Sequence, residues 1–207
     1  MEVHPPHGSI HSVKDFMVHL LAITIGLLIA LGLEATVEWM HHRSLVREAR
    51  ENISHEINDN QQRLAAELNA LPGEEKRLED ILATVSELER GRAGKPTGDY
   101  AWTLTRLSES SWNTAFSTGA TAHMQYDQVN KYSQLYAAQQ LFNSTMERYV
   151  GLRIEMYAFL TELELPDKPS NAEFESAKRV ITSQIIICRS LREVGNSLNT
   201  VYAKYLL

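Results

Sequence analysis

The sequence has very little cysteine, and this limits the chemistry open to the chain. Cys188 stands alone among 207 residues, so no intramolecular disulfide can form and no thiolate metal site can be built. The chain also lacks an excess of positive charge, with 20 Lys and Arg against 26 Asp and Glu and a formal net charge of -6. Because nucleic-acid-binding proteins usually carry a basic face, this balance disfavours nucleic acid as a partner.

Motifs that carry catalysis are also absent. The sequence has no glycine-rich phosphate-binding loop, and no Gly-x-Ser-x-Gly elbow surrounds Ser110-Ser111. A di-metal helical bundle needs Glu-x-x-His on two helices, and neither His55 nor His123 has a glutamate three residues before it. Three N-terminal histidines have a ligand-like spacing, but the neighbouring prolines and glycine favour a flexible tail over a metal site: His4, His7 and His11. We therefore expect no enzyme activity, no cofactor and no metal.

Residues 16–33 form an apolar segment without Asp, Glu, Lys or Arg. As a helix, with a rise of roughly 1.5 Å per residue, the segment spans about 27 Å, close to the roughly 30 Å hydrocarbon core of a bilayer. Trp39 follows where an interfacial aromatic residue would lie. The segment therefore predicts a single-pass transmembrane helix in contact with membrane lipid.

A cleaved signal peptide and a buried core helix are the alternatives for this segment. Ala30-Leu31-Gly32 resembles a cleavage site, but the apolar run is longer than a usual signal peptide has, and Lys14 is offset by Asp15. We expect an uncleaved anchor. The predicted organisation is a flexible N-terminal tail (1–15), the anchor with its juxtamembrane helix (16–40) and a soluble helical-bundle domain (41–207).

Two features of the anchor predict its orientation and its contacts. Three arginines follow the anchor and only Lys14 precedes it, so the positive-inside rule places the soluble domain in the cytoplasm.

One helical stripe of the anchor carries small residues between a histidine and a glutamate: His19, Ala22, Gly26, Ala30 and Glu34. Small residues at this spacing allow two membrane helices to approach closely, although they are also common in membrane helices generally. The stripe predicts an interface with a second copy or with another membrane protein.

The remainder of the chain has the apolar period of amphipathic helices. One stripe runs through Leu45, Ala49, Ile53, Ile57, Leu64, Leu68 and Leu71. Pro72-Gly73 predicts the end of that helix. A shorter helix follows, with Leu78, Ile81, Leu82, Val85 and Leu88 on one side, and residues 91–98 form a loop by composition.

The second half of the chain predicts further helices. Residues 100–124 predict two short helices with a break near Gly119 and four side chains facing inward: Trp112, Ala115, Phe116 and Met124. A long helix over about 127–163 carries the stripe Leu135, Ala138, Phe142, Thr145, Tyr149, Leu152, Met156, Phe159 and Leu163. Ser170 and Glu173 form a capping box that opens the last helix. Its stripe is Phe174, Ala177, Ile181, Gln184, Cys188, Leu191, Gly195, Leu198, Tyr202 and Tyr205.

The fold class follows from these helices. The β-branched residues 185–187 favour a strand locally, but they lie inside a continuous helical period, so a helix is predicted there. Short turns between the stripes are typical of antiparallel neighbours. The prediction is an all-α protein with one N-terminal transmembrane helix followed by an up-and-down antiparallel helical bundle.

One aromatic series suggests a surface for a partner protein. Tyr126, Tyr132 and Tyr136 lie close together in the sequence, and such a patch belongs either to the core or to a partner surface more often than to a cofactor site. Nothing in the sequence identifies a small-molecule ligand.

Two short stretches resemble a known group of proteins. The run Gly26-Leu27-Leu28-Ile29-Ala30-Leu31, followed by Glu38-Trp39, looks like the anchor of uncharacterised bacterial single-pass membrane proteins with a helical soluble domain. The middle segment of that group is similar to Trp112-Asn113-Thr114-Ala115 with Ser117-Thr118-Gly119-Ala120 and the tyrosines at 132 and 136. The resemblance implies the bacterial inner membrane and implies no activity. We expect a non-enzymatic accessory or scaffold protein; a ligand-sensing module that signals through its membrane helix is the alternative.

Overall fold

The computed structural model describes residues 13–92, 94, 105–163 and 169–205. Over these residues the chain is all-α, as predicted. It has four α-helices and one 3₁₀ turn: α1 (Val13–Glu89), α2 (Ser110–Ser117), the turn (Ala120–His123), α3 (Tyr126–Glu162) and α4 (Asn171–Tyr205). The chain divides into two compact units, Met1–Glu48 and Ala49–Leu207, and α1 begins in the first and ends in the second.

The first unit exposes its apolar residues. The large apolar side chains of residues 16–33 are between 47% and 70% exposed. Two threonine hydroxyl groups of this unit bond within their own helix: Thr24 Oγ1 donates to Leu20 O at 2.8 Å and Thr36 Oγ1 donates to Gly32 O at 2.7 Å. α1 is long and apolar enough to cross a membrane. Residues 1–12 of the predicted tail lie outside the described residues.

The predicted helix end at Pro72-Gly73 is wrong, because α1 continues through Pro72 to Glu89. An interior proline costs a helix about 3 kcal/mol. Leu71 and Leu78, on either side of it, are both buried, and each buried leucine contributes about 1.5–3 kcal/mol, so packing outweighs the proline. The helix ends instead at Glu89, and Gly91, which has φ +76°, follows its last turn. There Gly91 N–H donates to Leu88 O and Arg92 N–H donates to Glu87 O, the bond pair of a Schellman motif.

The core of the second unit lies between α1, α3 and α4, and at Gly195 side chains of α1 and α3 pack directly against the backbone of α4. A Cβ atom at Gly195 would lie 2.8 Å from Leu68 Cδ2 on α1 and 3.3 Å from Phe142 Cε2 on α3. The predicted stripe of α4 is confirmed at every position from Phe174 to Tyr202, and its last member, Tyr205, is half-buried. Residues 185–187 lie within α4, which confirms the helix predicted there.

Side-chain contacts give the directions of the helices in this unit. Gln61 contacts Asn199 and Glu89 contacts Lys178, so α1 and α4 run in opposite directions. Tyr202 and Gln139 likewise join the end of α4 to the beginning of α3.

The buried face of α3 differs in part from the predicted stripe. Five predicted members are buried: Leu135, Phe142, Tyr149, Met156 and Phe159. Leu152 is only half-buried, whereas Gln139, Asn143 and Arg153 are buried although their side chains are polar. α3 therefore buries a second, polar line of residues beside its apolar one.

The segment before α3 confirms most of its prediction. Gly119 has φ +78° and separates α2 from the 3₁₀ turn, and Ala115 and Met124 are buried. Phe116, predicted to face inward, is 72% exposed. Because α2 has only eight residues, its narrow buried face is occupied by Ala115, and Phe116 lies about 100° further round the helix.

The capping box predicted at the start of α4 is also confirmed. Ser170 N–H donates to Glu173 Oε2 at 2.6 Å, and Glu173 N–H donates to Ser170 Oγ at 3.4 Å. These bonds hold the pKa of the Glu173 carboxyl below its usual value.

Candidate functional site

The predicted helix interface of the anchor lies on the exposed surface of α1. All five members are exposed: His19, Ala22, Gly26, Ala30 and Glu34. A Cβ atom added at Gly26 would meet nothing within 4 Å. His19 Nδ1 lies 3.1 Å from Asp15 O, so its ring bonds within the helix. The stripe is therefore open to a neighbouring helix along its whole length.

The three predicted surface tyrosines do not share one surface. Tyr126 is 82% exposed, Tyr132 is half-buried and Tyr136 is 4% exposed. The Trp112 ring stacks on Tyr136 with centroids 5.6 Å apart and is tilted against Tyr132 at 6.1 Å. Tyr136 thus belongs to the core, and Tyr126 is the most exposed of the three.

Tyr136 is hydrogen-bonded to a carboxylate, Glu56, that the sequence did not single out as a site residue. Its hydroxyl donates to Glu56 Oε1 at 2.7 Å, and Glu56 Oε2 accepts from the Ser108 hydroxyl at 2.7 Å and from Ser111 N–H at 2.9 Å. Burial, and then the hydrogen bond to Glu56, raise the pKa of Tyr136 far above its ordinary value. The phenol therefore stays protonated and acts as a donor at physiological pH.

Three buried amide side chains hold the non-helical segment before α2, and we call Asn60, Gln139 and Asn143 the amide clamp. Asn143 accepts from Leu107 N–H at 3.1 Å and donates to Leu107 O at 3.0 Å. Asn60 makes the same pair with Ser108, at 2.8 Å for both bonds. Gln139 Nε2 also donates to Ser108 O, at 2.8 Å. These amides replace the backbone partners that a segment outside a helix lacks.

The sequence contains one signal for this clamp. Asn60 falls on the apolar stripe of α1, between Ile57 and Leu64, and a polar residue at a core position indicates an interhelical hydrogen bond. Gln139 and Asn143 lie next to predicted core positions of α3, so their burial could not be read from the apolar pattern.

A second, partly buried polar cluster links α1 to α3 further along both helices. Glu74 Oε1 accepts from Arg153 at 2.5 Å, from Arg77 at 2.6 Å and from the Tyr149 hydroxyl. Burial raises the pKa of Glu74, but the hydrogen bonds from Arg77 and Tyr149 and the charge of Arg153 outweigh it, so the pKa lies below its usual value. Glu74 therefore joins α1 to α3 through its contacts with Arg153 and Tyr149.

An open groove of about 840 Å³ lies where α1, α3 and α4 meet near the beginning of α3. It is lined by Arg50, Gln125, Asp127, Gln128, Lys131, Tyr132, Gln134, Lys204 and Tyr205. Tyr205 OH donates to Lys131 O at 2.7 Å and so ties α4 to α3 in the groove. Sequence reasoning did not find this site, because its charged residues come from three distant parts of the chain.

The described residues contain no group of three or more His, Cys, Asp or Glu side chains placed to hold a metal ion. The three N-terminal histidines lie outside the described residues. Cys188 is buried, and burial raises the pKa of its thiol to about 11. No family model, curated protein or solved structure matches this chain. The resemblance to bacterial single-pass membrane proteins therefore stays a prediction.

Proposed function

We propose that this chain is a non-enzymatic, membrane-anchored helical accessory or scaffold protein that acts through protein–protein contacts. The observation that supports this most strongly is the exposed apolar part of α1, where an 18-residue window has a mean hydropathy of 2.5. Each large apolar side chain left in water forgoes about 1.5–3 kcal/mol of burial energy. The segment therefore favours the bilayer. In the membrane, we propose, the chain acts as a homo-oligomer or as a subunit of a membrane complex.

The interior of the second unit supports a structural role. The amide clamp holds the segment at Leu107 and Ser108, and the Glu74 cluster joins α1 to α3. Hydrogen bonds of buried polar groups between elements rigidify a fold. We regard the unit as an up-and-down helical bundle whose outer faces meet the partner. Two aromatic side chains, Phe116 and Tyr126, are exposed on either side of the 3₁₀ turn and suit such a contact.

We place the second unit in the cytoplasm, with the anchor in a bacterial inner membrane. The supporting observation is that Arg43, Arg47 and Arg50 follow the apolar segment, whereas Lys14 alone precedes it. The test is an Arg92→Cys variant treated in intact cells with a membrane-impermeant thiol reagent. Labelling only after the cells are lysed supports this orientation, and labelling in intact cells contradicts it.

Affinity capture of the tagged full-length chain from detergent-solubilised native membranes tests the function itself. A stoichiometric second protein, or an untagged second copy, is the expected result. Phe116→Ser with Tyr126→Ser should reduce that capture, while Leu141→Ser with Ile186→Ser, which alters two other exposed apolar side chains, serves as the matched control. A chain that is recovered alone and as a monomer contradicts the proposal.

A ligand-sensing module that signals through the membrane helix is the second candidate function. The groove between α1, α3 and α4 is the observation that favours it, since it offers polar and charged groups from three helices to one small molecule. Ligand-dependent melting of a chain that captures no partner would favour this candidate over the scaffold.

A further inference from the structure

The groove near the beginning of α3 combines cationic side chains from three helices. Arg50 comes from α1, Lys131 from α3 and Lys204 from α4. The described residues include no ion-pair partner for any of the three. Other basic residues of the same unit, such as Arg189 and Lys178, do pair with carboxylates. The groove therefore holds positive charge that no carboxylate of the described chain neutralises through a direct contact.

One carboxylate also lines the groove, and it sets the charge balance. Asp127 lies in the first turn of α3 and, like the three cations, contacts no oppositely charged described residue. Three cations and one carboxylate leave a net charge of +2 along the lining. That balance suits a dianion better than a neutral ligand or a single carboxylate.

The groove also offers hydrogen-bond donors. Gln128 Nε2 donates to the Tyr132 hydroxyl at 3.3 Å, which leaves the hydroxyl proton of Tyr132 free to donate to a ligand. At the beginning of α3 the side chain of Gln125 makes no capping hydrogen bond, so it does not occupy the first N–H groups of the helix. Donors from several directions match a phosphate, which carries about 1.5 to 2 negative charges and several acceptor oxygens at neutral pH.

We propose that this groove binds a phosphate group, either free in solution or in the headgroup of an anionic lipid. Arg50, Lys131 and Lys204 supply the charge, Tyr132 supplies a neutral donor, and Asp127 weakens binding by repulsion. The proposal is independent of the protein–protein role proposed above, because it concerns only the residues that line this groove and a phosphate ligand.

The full-length chain in a neutral detergent is titrated by calorimetry at low ionic strength with two probes. One probe is inorganic phosphate, and the other is dioctanoyl phosphatidic acid in the same detergent. Binding of inorganic phosphate supports a site for a free phosphate, and binding of the lipid alone supports a site for a phosphate headgroup. Binding of neither probe overturns the proposal.

Two sets of substitutions show whether the groove is responsible. Arg50→Gln with Lys131→Gln and Lys204→Gln should weaken binding by about tenfold or more, since each removes a charge-assisted contact. Arg63→Gln, Arg148→Gln and Arg179→Gln make the same change in net charge on exposed positions of the same three helices, and should alter the affinity less than about twofold. An equal loss in both triple variants contradicts a groove site.

Asp127→Asn tests whether the Asp127 carboxylate repels the bound phosphate. Removing the carboxylate should strengthen phosphate binding by about threefold or more, because a like charge then no longer opposes the ligand. Asp59→Asn, an exposed change on α1, is the control. Weaker binding by the Asp127→Asn variant would overturn the assignment. Membrane retention and partner capture, measured on the same variants, should be unchanged, so failure of the phosphate site is distinguishable from failure of the scaffold role.

Discussion

Two pairs of isoleucines on α1 show how differently the two units use the same residue. Ile25 and Ile29 in the first unit are 49% and 59% exposed, whereas Ile53 and Ile57 in the second are 0% and 3% exposed. Both pairs have the same spacing on the same helix. The difference lies in their neighbours: residues 16–33 are apolar all round, while the later stretch has one apolar stripe and a charged face. An all-round apolar helix suits a lipid solvent, and a striped one suits a protein core.

The two units also differ in how their elements are joined. In the first unit the hydroxyl groups of Thr24 and Thr36 bond to their own helix. Hydroxyl groups of the second unit such as Thr84 do the same, but its buried amides bond between elements, as Asn60 does with Ser108 and Gln139. Buried polar groups that join separate elements are therefore a feature of the packed second unit.

The largest expected effect comes from placing charge in the apolar segment. Ile25→Arg with Ile29→Arg should move most of the protein out of the membrane fraction, because each central arginine costs about 2.5–3.5 kcal/mol in a membrane helix. Ile154→Arg with Ile186→Arg makes the same change at exposed isoleucines of the second unit and should leave the distribution unchanged. Fractionation of cell membranes measures both, and equal behaviour of the two pairs would remove the distinction between the units.

A core substitution should have the next largest effect, and only on the second unit. Leu191 is fully buried, so Leu191→Ala should lower the free energy of unfolding by about 2–5 kcal/mol. Leu152→Ala should cost less, since that side chain is half-buried, and Leu27→Ala in the apolar segment should cost almost nothing. Denaturation of the full-length chain in detergent is the measurement. A loss below about 0.5 kcal/mol for Leu191→Ala would mean that the buried faces are wrong.

Glu74→Gln should destabilise the second unit by about 3 kcal/mol at neutral pH, because it removes a negative charge in contact with buried Arg153. The pKa of Glu74 is lowered in the folded state, so its stabilisation is present above the unfolded value of about 4.3 and is lost as the pH falls through the folded value. The wild-type chain should therefore lose more stability on acidification than the variant.

The matched control for this cluster is Glu79→Gln, which removes an exposed ion pair with Arg189 and should cost less than about 1 kcal/mol. Chemical denaturation of the wild type and both variants at pH 7 and at pH 3 gives the six free energies of unfolding needed. If Glu74→Gln and Glu79→Gln lower the free energy of unfolding equally, burial of the Glu74 cluster contributes nothing to stability.

The smallest expected effect concerns contacts between anchors. Gly26→Leu should hold two membrane helices apart and weaken self-association, since close packing supplies the attraction in lipid. Leu27→Ala, on another face, should change little. Energy transfer between labelled copies in vesicles measures the association. An intact oligomer in the Gly26→Leu variant, or a monomeric wild type at a high protein-to-lipid ratio, contradicts this interface.

Apolar periodicity and end signals predicted much of the fold. The stripe of α4 and its capping box at Ser170 were predictable because the stripe keeps the helical period from Phe174 to Tyr202 and, apart from Gln184, is made of apolar or small residues. The continuation of α1 through Pro72 was not, because burial of Leu71 and Leu78 outweighs a local stop signal. Phe116 was predicted wrongly because an eight-residue helix has room for only one buried line.

The site was less predictable than the fold. The stripe of small residues in the anchor could be found from spacing alone, and its role as an interface stays a prediction. Glu56 and Asn143 could not, because their partners lie in the segment around Leu107 and Ser108, far away in sequence. Likewise, the cations of the groove come together only once three helices have packed.

Spin labels at four isoleucines test the central claim most directly. Cysteines replace Ile25, Ile29, Ile154 and Ile186 one at a time in the full-length chain, and each labelled protein is reconstituted in vesicles. Cys188 should label poorly because it is buried and its pKa is about 11. The accessibility of each label to oxygen, which partitions into lipid, is compared with its accessibility to a water-soluble nickel complex. Labels at 25 and 29 should favour oxygen and those at 154 and 186 should favour nickel, whereas nickel accessibility at all four positions would contradict a membrane anchor.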